Sequence, residues 1–124
     1  KLGITGIRSF GPDDEEIIRF LRPVTIILGD NGVGKTTIIE CVKMAVTGDL
    51  PPLVGRGAAF LHDPKVAHAT ETRAKIRMSF SDGGGNEILV DRQFKVTSKG
   101  GKGNQLEYKN TDSTVKVVGK DSNA

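Results

Sequence analysis

The sequence is poor in cysteine and in aromatic residues: its 124 residues include one cysteine, no tryptophan and only 5% Phe, Trp and Tyr together. A single thiol, Cys41, allows no internal disulfide and no cysteine-rich zinc site, which is typical of an intracellular protein. No apolar run is long enough to cross a bilayer and no signal peptide is recognisable, so no membrane partner is expected. The sequence has the length and composition of one soluble globular domain, with 36% hydrophobic and 27% charged residues.

The net charge of +3 is unevenly distributed. Residues 1–94 carry twelve basic and twelve acidic side chains, so the whole excess lies in the last thirty residues. There the lysines alternate with glycines, as in residues 98–104 (SKGGKGN). This pattern favours a solvated basic tail, with a phosphate-contacting loop as the alternative, over a basic nucleic-acid-binding face.

The N-terminal third predicts three strands. Residues 2–8 (LGITGIR) and 17–21 (IIRFL) flank a turn at 11–16 and suggest an antiparallel pair. Residues 24–28 (VTIIL) are almost continuously apolar and rich in β-branched side chains. That composition predicts a strand buried on both faces, at the centre of its sheet.

A helix is predicted from Lys35 onward. Gly48 is well placed to end it, and the prolines at 51 and 52 prevent it from resuming. Its apolar side is predicted to contain Ile38, Ile39, Val42, Ala45 and Val46, with Cys41 and Met44 near this side.

The second half predicts antiparallel strands. Residues 73–97 alternate around a glycine-rich turn at 81–86 (SDGGGN) and form a hairpin, and weaker strand signals at 105–109 and 115–118 could extend its sheet. Arg92 falls on the apolar side of this register, which indicates a bulge or a rim position. The inward positions of the hairpin are Ala74, Ile76, Met78, Phe80, Ile88, Val90, Phe94 and Val96.

Residues 29–36 (GDNGVGKT) fit the phosphate-binding pattern GxxxxGK[ST] at every defined position, between a predicted strand and a helix. Gly29, Gly32 and Gly34 would let the backbone amides curl closely around phosphate oxygens. Lys35, the candidate catalytic residue, would supply a charge for the β- and γ-phosphates. The hydroxyl of Thr36 is the expected Mg²⁺ ligand, and Thr37 can bond the α-phosphate. The sequence therefore predicts nucleotide binding, with a simple helix-capping turn as the weaker alternative.

Other motif-like segments are weaker. Residues 88–91 (ILVD) approach the acidic motif of ATPases but lie within the predicted hairpin, and residues 81–85 are a turn with no helix after them. Residues 109–112 (KNTD) hold the ingredients of a guanine-specifying motif in the wrong order. His62 and His68 have no thiolate within reach, so zinc is not expected in this chain.

Four segments around the phosphate loop closely resemble the start of the SMC-like, ABC-type ATPase of the eukaryotic double-strand-break repair nuclease complex. They are residues 6–11 (GIRSFG), 36–41 (TTIIEC), 47–52 (TGDLPP) and 62–66 (HDPKV). The resemblance extends from Lys1 to about Val96 and is expected to fade beyond it.

The resemblance implies an α/β fold: the N-terminal lobe of a P-loop NTPase head with an antiparallel β subdomain. Strands, phosphate loop and first helix would occupy residues 1–49, a nucleotide-side loop 50–72, and the β subdomain with its basic tail 73–124. The family's second lobe lies at the far end of a long coiled coil with a zinc hook. The catalytic carboxylates and signature motif are therefore expected outside this chain, as the missing initiator Met also suggests, and the fragment alone is expected to be inactive.

The resemblance also implies the ligands. ATP would be held by Asn31, Gly32, Gly34, Lys35, Thr36 and Thr37, with Arg8 and the loop from Leu61 to Asp63 around the base and sugar. Mg²⁺ would be shared by Thr36 and a glutamine beyond this chain. The expected partners are a second copy bound in an ATP-dependent head dimer, the C-terminal half of the same chain, the repair nuclease and DNA ends, on chromosomes in the nucleus.

Two other functions fit less well. A phosphotransferase or GTPase could use the same loop but would need an acceptor site, a lid or a guanine motif. A docking module could present the outward Arg73, Lys75 and Arg77 to DNA or to a partner, with nucleotide only stabilising the fold; a solvated strand face explains these residues more simply.

Overall fold

The structure is a computed structural model that describes residues 1–8, 10–30, 34–49, 71–99 and 105–118. Within these ranges the elements are β1 (Leu2–Thr5), β2 (Glu16–Ile18), α1 (Lys35–Thr47), β3 (Glu71–Ser81), β4 (Glu87–Lys99) and β5 (Gln105–Val118). The strands form one antiparallel sheet in the order β2-β1-β3-β4-β5. A helix on one face of a sheet fits the predicted α/β class.

The strand register places apolar side chains in rows on the face of the sheet that α1 covers. In one row, Leu2 lies opposite Met78, and Met78 lies opposite Val90. Because side chains alternate between faces, the charged positions between these rows point away from the helix. The resulting core consists of Leu2, Ile4, Ile7, Cys41, Met44, Ala45, Ala74, Ile76, Met78, Val90, Phe94 and Val96.

The bounds predicted for the helix are confirmed. Gly48 ends α1 in the left-handed conformation, with φ of 77°, and its amide donates to the carbonyl oxygen of Met44 over 2.8 Å. The predicted buried side is only partly right, because Ile39 and Val46 remain 66% and 58% exposed while Cys41 and Met44 are buried. The helix is apolar on two sides, and the sheet covers one of them.

The hairpin is also confirmed: β3 and β4 pair without interruption from Glu71 opposite Thr97 to Ser81 opposite Glu87. The two weak strand signals that follow belong to a single strand, β5, whose pairing with β4 is interrupted between Gln93 and Phe94. Phe80 occupies an inward position but stays 37% exposed, since it lies near the end of β3.

The prediction of a buried central strand at residues 24–28 is wrong. Residues 19–30 contain no helix or strand, and the side chains of Val24, Ile26 and Leu28 are 67%, 75% and 86% exposed. A strand buried on both faces needs hydrogen-bonded neighbours and two covering layers, and the described sheet leaves this segment outside both of its edges. The earlier strands are correct in pairing but shorter than predicted.

No helix in the described part of the chain is long and apolar enough to cross a membrane.

Candidate functional site

The N-terminus of α1 is open to an anion. Gly34 precedes it in the left-handed conformation, with φ of 107°, and accepts a hydrogen bond from the amide of Ile38 over 3.1 Å. The N-cap residue, Gly34, has no side chain to cap this end, and the first turn contains no acidic residue. The first amides of a helix have no intrahelical acceptor and carry the positive end of its dipole, so this end attracts negative charge.

Lys35 folds back over the segment that precedes the helix, where its Nζ donates a hydrogen bond to the carbonyl oxygen of Gly29. This hydrogen bond joins the first glycine of the phosphate-loop pattern to the lysine of the same pattern. Thr36 is exposed on the first turn, whereas Thr37 is buried at 4% exposure. Asn31 and Gly32 lie outside the described residues, and their roles remain predictions.

Arg8 reaches the same end of the helix from the loop after β1. This loop is closed by a 2.8 Å hydrogen bond from the amide of Phe10 to the carbonyl oxygen of Ile7. Arg8 itself has φ of 48°, in the left-handed region that non-glycine residues seldom occupy. Its Nη1 lies 3.4 Å from Oγ1 of Thr37 and 2.5 Å from Oε2 of Glu40. The structure therefore brings together Arg8 and the helix start, although 29 positions separate Arg8 from Thr37.

Glu40 is a site neighbour that sequence reasoning missed, because it lies outside the phosphate-loop pattern of residues 29–36. The signal that could have found it is its spacing of three residues from Thr37, which places the two side chains on one helix face. An arginine directed at Thr37 would then meet Glu40 as well.

Leu61 and Asp63 lie outside the described residues. In the described ranges, no group of three or more His, Cys, Asp or Glu side chains is arranged to hold a metal ion. The magnesium prediction therefore rests on the hydroxyl of Thr36 alone within this part of the chain.

Backbone amides of the glycine-rich turn between β3 and β4 find their hydrogen-bond acceptors within the turn. Oδ1 of Asp82 accepts hydrogen bonds from the amides of Gly84 and Asn86 over 2.8 and 2.9 Å. Hydrogen bonds from the Asn86 side chain and from these amides hold the pKa of Asp82 below its usual value. These amides thus donate to a carboxylate of the same turn, which agrees with the interpretation of this segment as a turn. Residues 88–91 and 109–112 lie within β4 and β5, as expected for strand segments.

Two of the three outward basic side chains of β3, Arg73 and Arg77, lie beside carboxylates. Nε of Arg73 lies 3.1 Å from Oε2 of Glu71, and its hydrogen bond holds the pKa of Glu71 below the usual value. Arg77 lies 3.6 Å from Glu15 and 3.9 Å from Asp91. This mixture of charges favours a solvated strand face over a DNA-binding one.

The chain belongs to the AAA domain family, whose model matches residues 1–123. Similar proteins give more specific information than the domain family. The chain is 46% identical over 118 residues to DNA repair protein RAD50 of Arabidopsis thaliana, and the match covers 95% of this chain and 9% of that protein. It is 46% identical over 119 residues to DNA repair protein RAD50 of Drosophila melanogaster (94% and 9%). It is 48% identical over 99 residues to that of Saccharomyces cerevisiae (80% and 8%).

The resemblance to a DNA-repair ATPase is confirmed by these relatives, and it extends further along the chain than the sequence suggested. An alignment covering 95% of 124 residues cannot end near Val96, so the tail belongs to the matched region. The chain spans less than a tenth of the length of these relatives, at 8–9% of each.

Proposed function

We propose that the chain is the ATP-binding N-terminal lobe of an SMC-like ATPase head that acts in the repair of DNA double-strand breaks. The observation that carries the proposal is the start of α1, where an uncapped helix end without acidic residues holds Lys35, Thr36 and Thr37 beside Arg8. Such an end suits a polyphosphate, and the similarity to RAD50 proteins indicates which nucleotide-dependent process it serves.

The residues present fit ATP and Mg²⁺. Nζ of Lys35 donates a hydrogen bond to the carbonyl oxygen of Gly29, and phosphate oxygens would replace this carbonyl as its partner. Amides from Gly29 to Gly34, including those of Asn31 and Gly32, would surround the phosphates. Mg²⁺ neutralises phosphate charge when bound, and the Thr36 hydroxyl would hold it. Arg8, with Leu61 and Asp63, would lie around the base and sugar.

A second lobe from the C-terminal half of the same protein would cover the apolar surface that this chain leaves exposed. Val24, Ile26 and Leu28 are 67–86% exposed, and Ile39 and Val46 on the outer side of α1 are 66% and 58% exposed. Five large apolar side chains so close in sequence to a nucleotide-binding helix are typical of an interface, because water-exposed apolar surface is costly.

In the complete protein, ATP would join two heads. Each head would bind a nucleotide at its phosphate loop while the signature motif of the other head closes over it. Closure would depend on the γ-phosphate and reverse on hydrolysis, so that the nucleotide state controls access of DNA ends to the repair nuclease in the nucleus. The catalytic carboxylates and the zinc hook would lie in other parts of that protein, and this chain alone would not hydrolyse ATP.

The test replaces one lysine in the full-length protein and compares it with a control on the same helix. Lys35→Ala is expected to abolish ATP-dependent head dimerisation, measured by light scattering after size-exclusion chromatography with and without ATP and Mg²⁺. Lys43→Ala removes an exposed lysine two turns further along α1 and is expected to leave dimerisation unchanged. Normal dimerisation of the Lys35→Ala protein would contradict the proposal.

A further inference from the structure

Glu40 occupies an unusual position for a charged side chain on α1. Its Oε2 is withdrawn from solvent and lies 2.5 Å from Nη1 of Arg8. The same nitrogen lies 3.4 Å from Oγ1 of Thr37. One guanidinium nitrogen therefore lies between the carboxylate of Glu40 and the hydroxyl of Thr37, in the first turns of the helix.

One carboxylate oxygen of Glu40 is buried, although the side chain as a whole is 19% exposed. A carboxylate oxygen withdrawn from water is costly unless a cation remains beside it. Within the described residues, Arg8 supplies the one ion pair of Glu40. Movement of the Arg8 side chain away from α1 would leave the buried oxygen without its countercharge, so Glu40 restrains Arg8.

The backbone supports the same conclusion. Arg8 keeps φ of 48° even though the left-handed region is unfavourable for a residue with a Cβ. Backbone hydrogen bonds around Arg8, from Gly6 to Gly11 over 3.0 Å and from Phe10 to Ile7 over 2.8 Å, hold the loop that carries it. Loop and carboxylate together fix the guanidinium from both ends of the side chain.

We propose that Glu40 is a positioning residue of the nucleotide site: its carboxylate holds the Arg8 guanidinium beside Thr37, at the helix end where the phosphates would bind. The inference rests on the proposed function. A guanidinium is planar and has several N–H donors, so an ion pair with a carboxylate does not prevent it from donating to the nucleotide. A cation that is already fixed loses less side-chain freedom when the nucleotide binds, and this raises affinity.

The test measures affinity for a fluorescent ATP analogue in the full-length protein with Mg²⁺. Glu40→Gln, which keeps the side-chain size, is expected to weaken binding about threefold, and Glu40→Ala about tenfold. The double variant Arg8→Ala/Glu40→Ala should bind no more weakly than Arg8→Ala alone, because Glu40 acts through Arg8. In steady-state ATPase assays the loss should fall on KM, with kcat little changed.

The control is Glu71→Gln, which removes another arginine-paired carboxylate, 3.1 Å from Arg73 on the far face of the sheet. It is expected to leave affinity unchanged. Circular dichroism of each variant tests whether the fold is retained, and Glu40→Gln provides the measurement if Glu40→Ala unfolds.

Three results would overturn the inference while ATP binding itself persists. The first is unchanged affinity in both Glu40 variants. The second is a loss of affinity from Glu40→Ala that is equally large in the unaltered protein and in the Arg8→Ala protein. The third is tighter binding by Glu40→Gln. The last result would mean that the carboxylate competes with the nucleotide for Arg8. Failure of the proposed function looks different, since then the unaltered protein would bind no ATP and Lys35→Ala would change nothing.

Discussion

Nε of Arg92 donates a hydrogen bond to the carbonyl oxygen of Ala45 over 3.0 Å, and this bond joins β4 to the last turn of α1. The carbonyl groups of a last turn have no intrahelical donor and form the negative end of the helix dipole. Arg92 lies opposite Ile76, on the face of the sheet that α1 covers. Of the two predicted explanations, a bulge is absent from the β3–β4 pairing but interrupts the β4–β5 pairing just after Arg92, between Gln93 and Phe94. The half-buried Arg92 side chain itself completes the helix end.

Replacing Arg92 with Met should destabilise the fold. Methionine fills similar space but leaves the Ala45 carbonyl without this donor and removes the charge near the helix terminus. We expect the free energy of unfolding in urea to fall by about 1–3 kcal/mol. Arg77→Met is the control, since its ion pairs are exposed and longer, and it should change stability by less than about 0.5 kcal/mol. Equal effects of the two changes would contradict the role of Arg92.

Gly6 is expected to tolerate no side chain. Its φ is 67°, and a Cβ there would overlap the backbone carbonyl oxygen of Arg73. Gly6→Ala should therefore lower the free energy of unfolding by about 2–5 kcal/mol, from backbone strain and from displaced strands. Gly11→Ala is a matched control in the same loop, because a Cβ at Gly11 would meet nothing within 4 Å. Urea unfolding monitored by circular dichroism distinguishes the two, and a Gly6→Ala protein as stable as Gly11→Ala would contradict this packing.

Local patterns in the sequence predicted the local parts of the structure. The bounds of α1 follow from glycines at both ends, and the β3–β4 hairpin follows from alternation around a glycine-rich turn; neither depends on distant residues. The segment 24–28 was mispredicted because burial of a strand depends on neighbours from elsewhere in the fold. The roles of Arg92 and Glu40 did not follow from the sequence, since their partners, Ala45 and Arg8, lie far from them along the chain.

The exposed apolar segment provides a test of the proposed second lobe. Ile26→Glu should prevent the C-terminal half of the protein from co-purifying with this chain, because a carboxylate would have to be buried in the contact. Leu89→Glu is the control, as Leu89 is 39% exposed but lies on the opposite, charged face of the sheet. Affinity capture of the co-expressed halves measures the outcome. Co-purification that survives Ile26→Glu would exclude this surface as the contact.

Cys41 should be chemically inert in the folded chain. It is fully buried between α1 and the sheet, and burial raises the pKa of its thiol to about 12, so almost no thiolate exists near neutral pH. We expect iodoacetamide to label Cys41 slowly in buffer and fully in concentrated urea, as followed by mass spectrometry. Fast labelling of the folded chain would show that α1 separates readily from the sheet.

The turn between β3 and β4 should make the stability of the fold depend on pH through Asp82. Hydrogen bonds from Asn86 and the turn amides lower the pKa of this carboxyl in the folded chain. A lowered pKa means that the stabilisation is complete above the carboxyl's unfolded value and is lost as pH falls through its lower, folded value. Asp82→Asn should therefore lower Tm at neutral pH, and the difference from the unaltered chain should shrink as pH falls through the folded value of this carboxyl. Glu87→Gln removes an exposed carboxylate beside the same turn and controls for the change in net charge. If the Tm difference for Asp82→Asn stays constant from neutral to acid pH, the charge of Asp82 does not stabilise the turn.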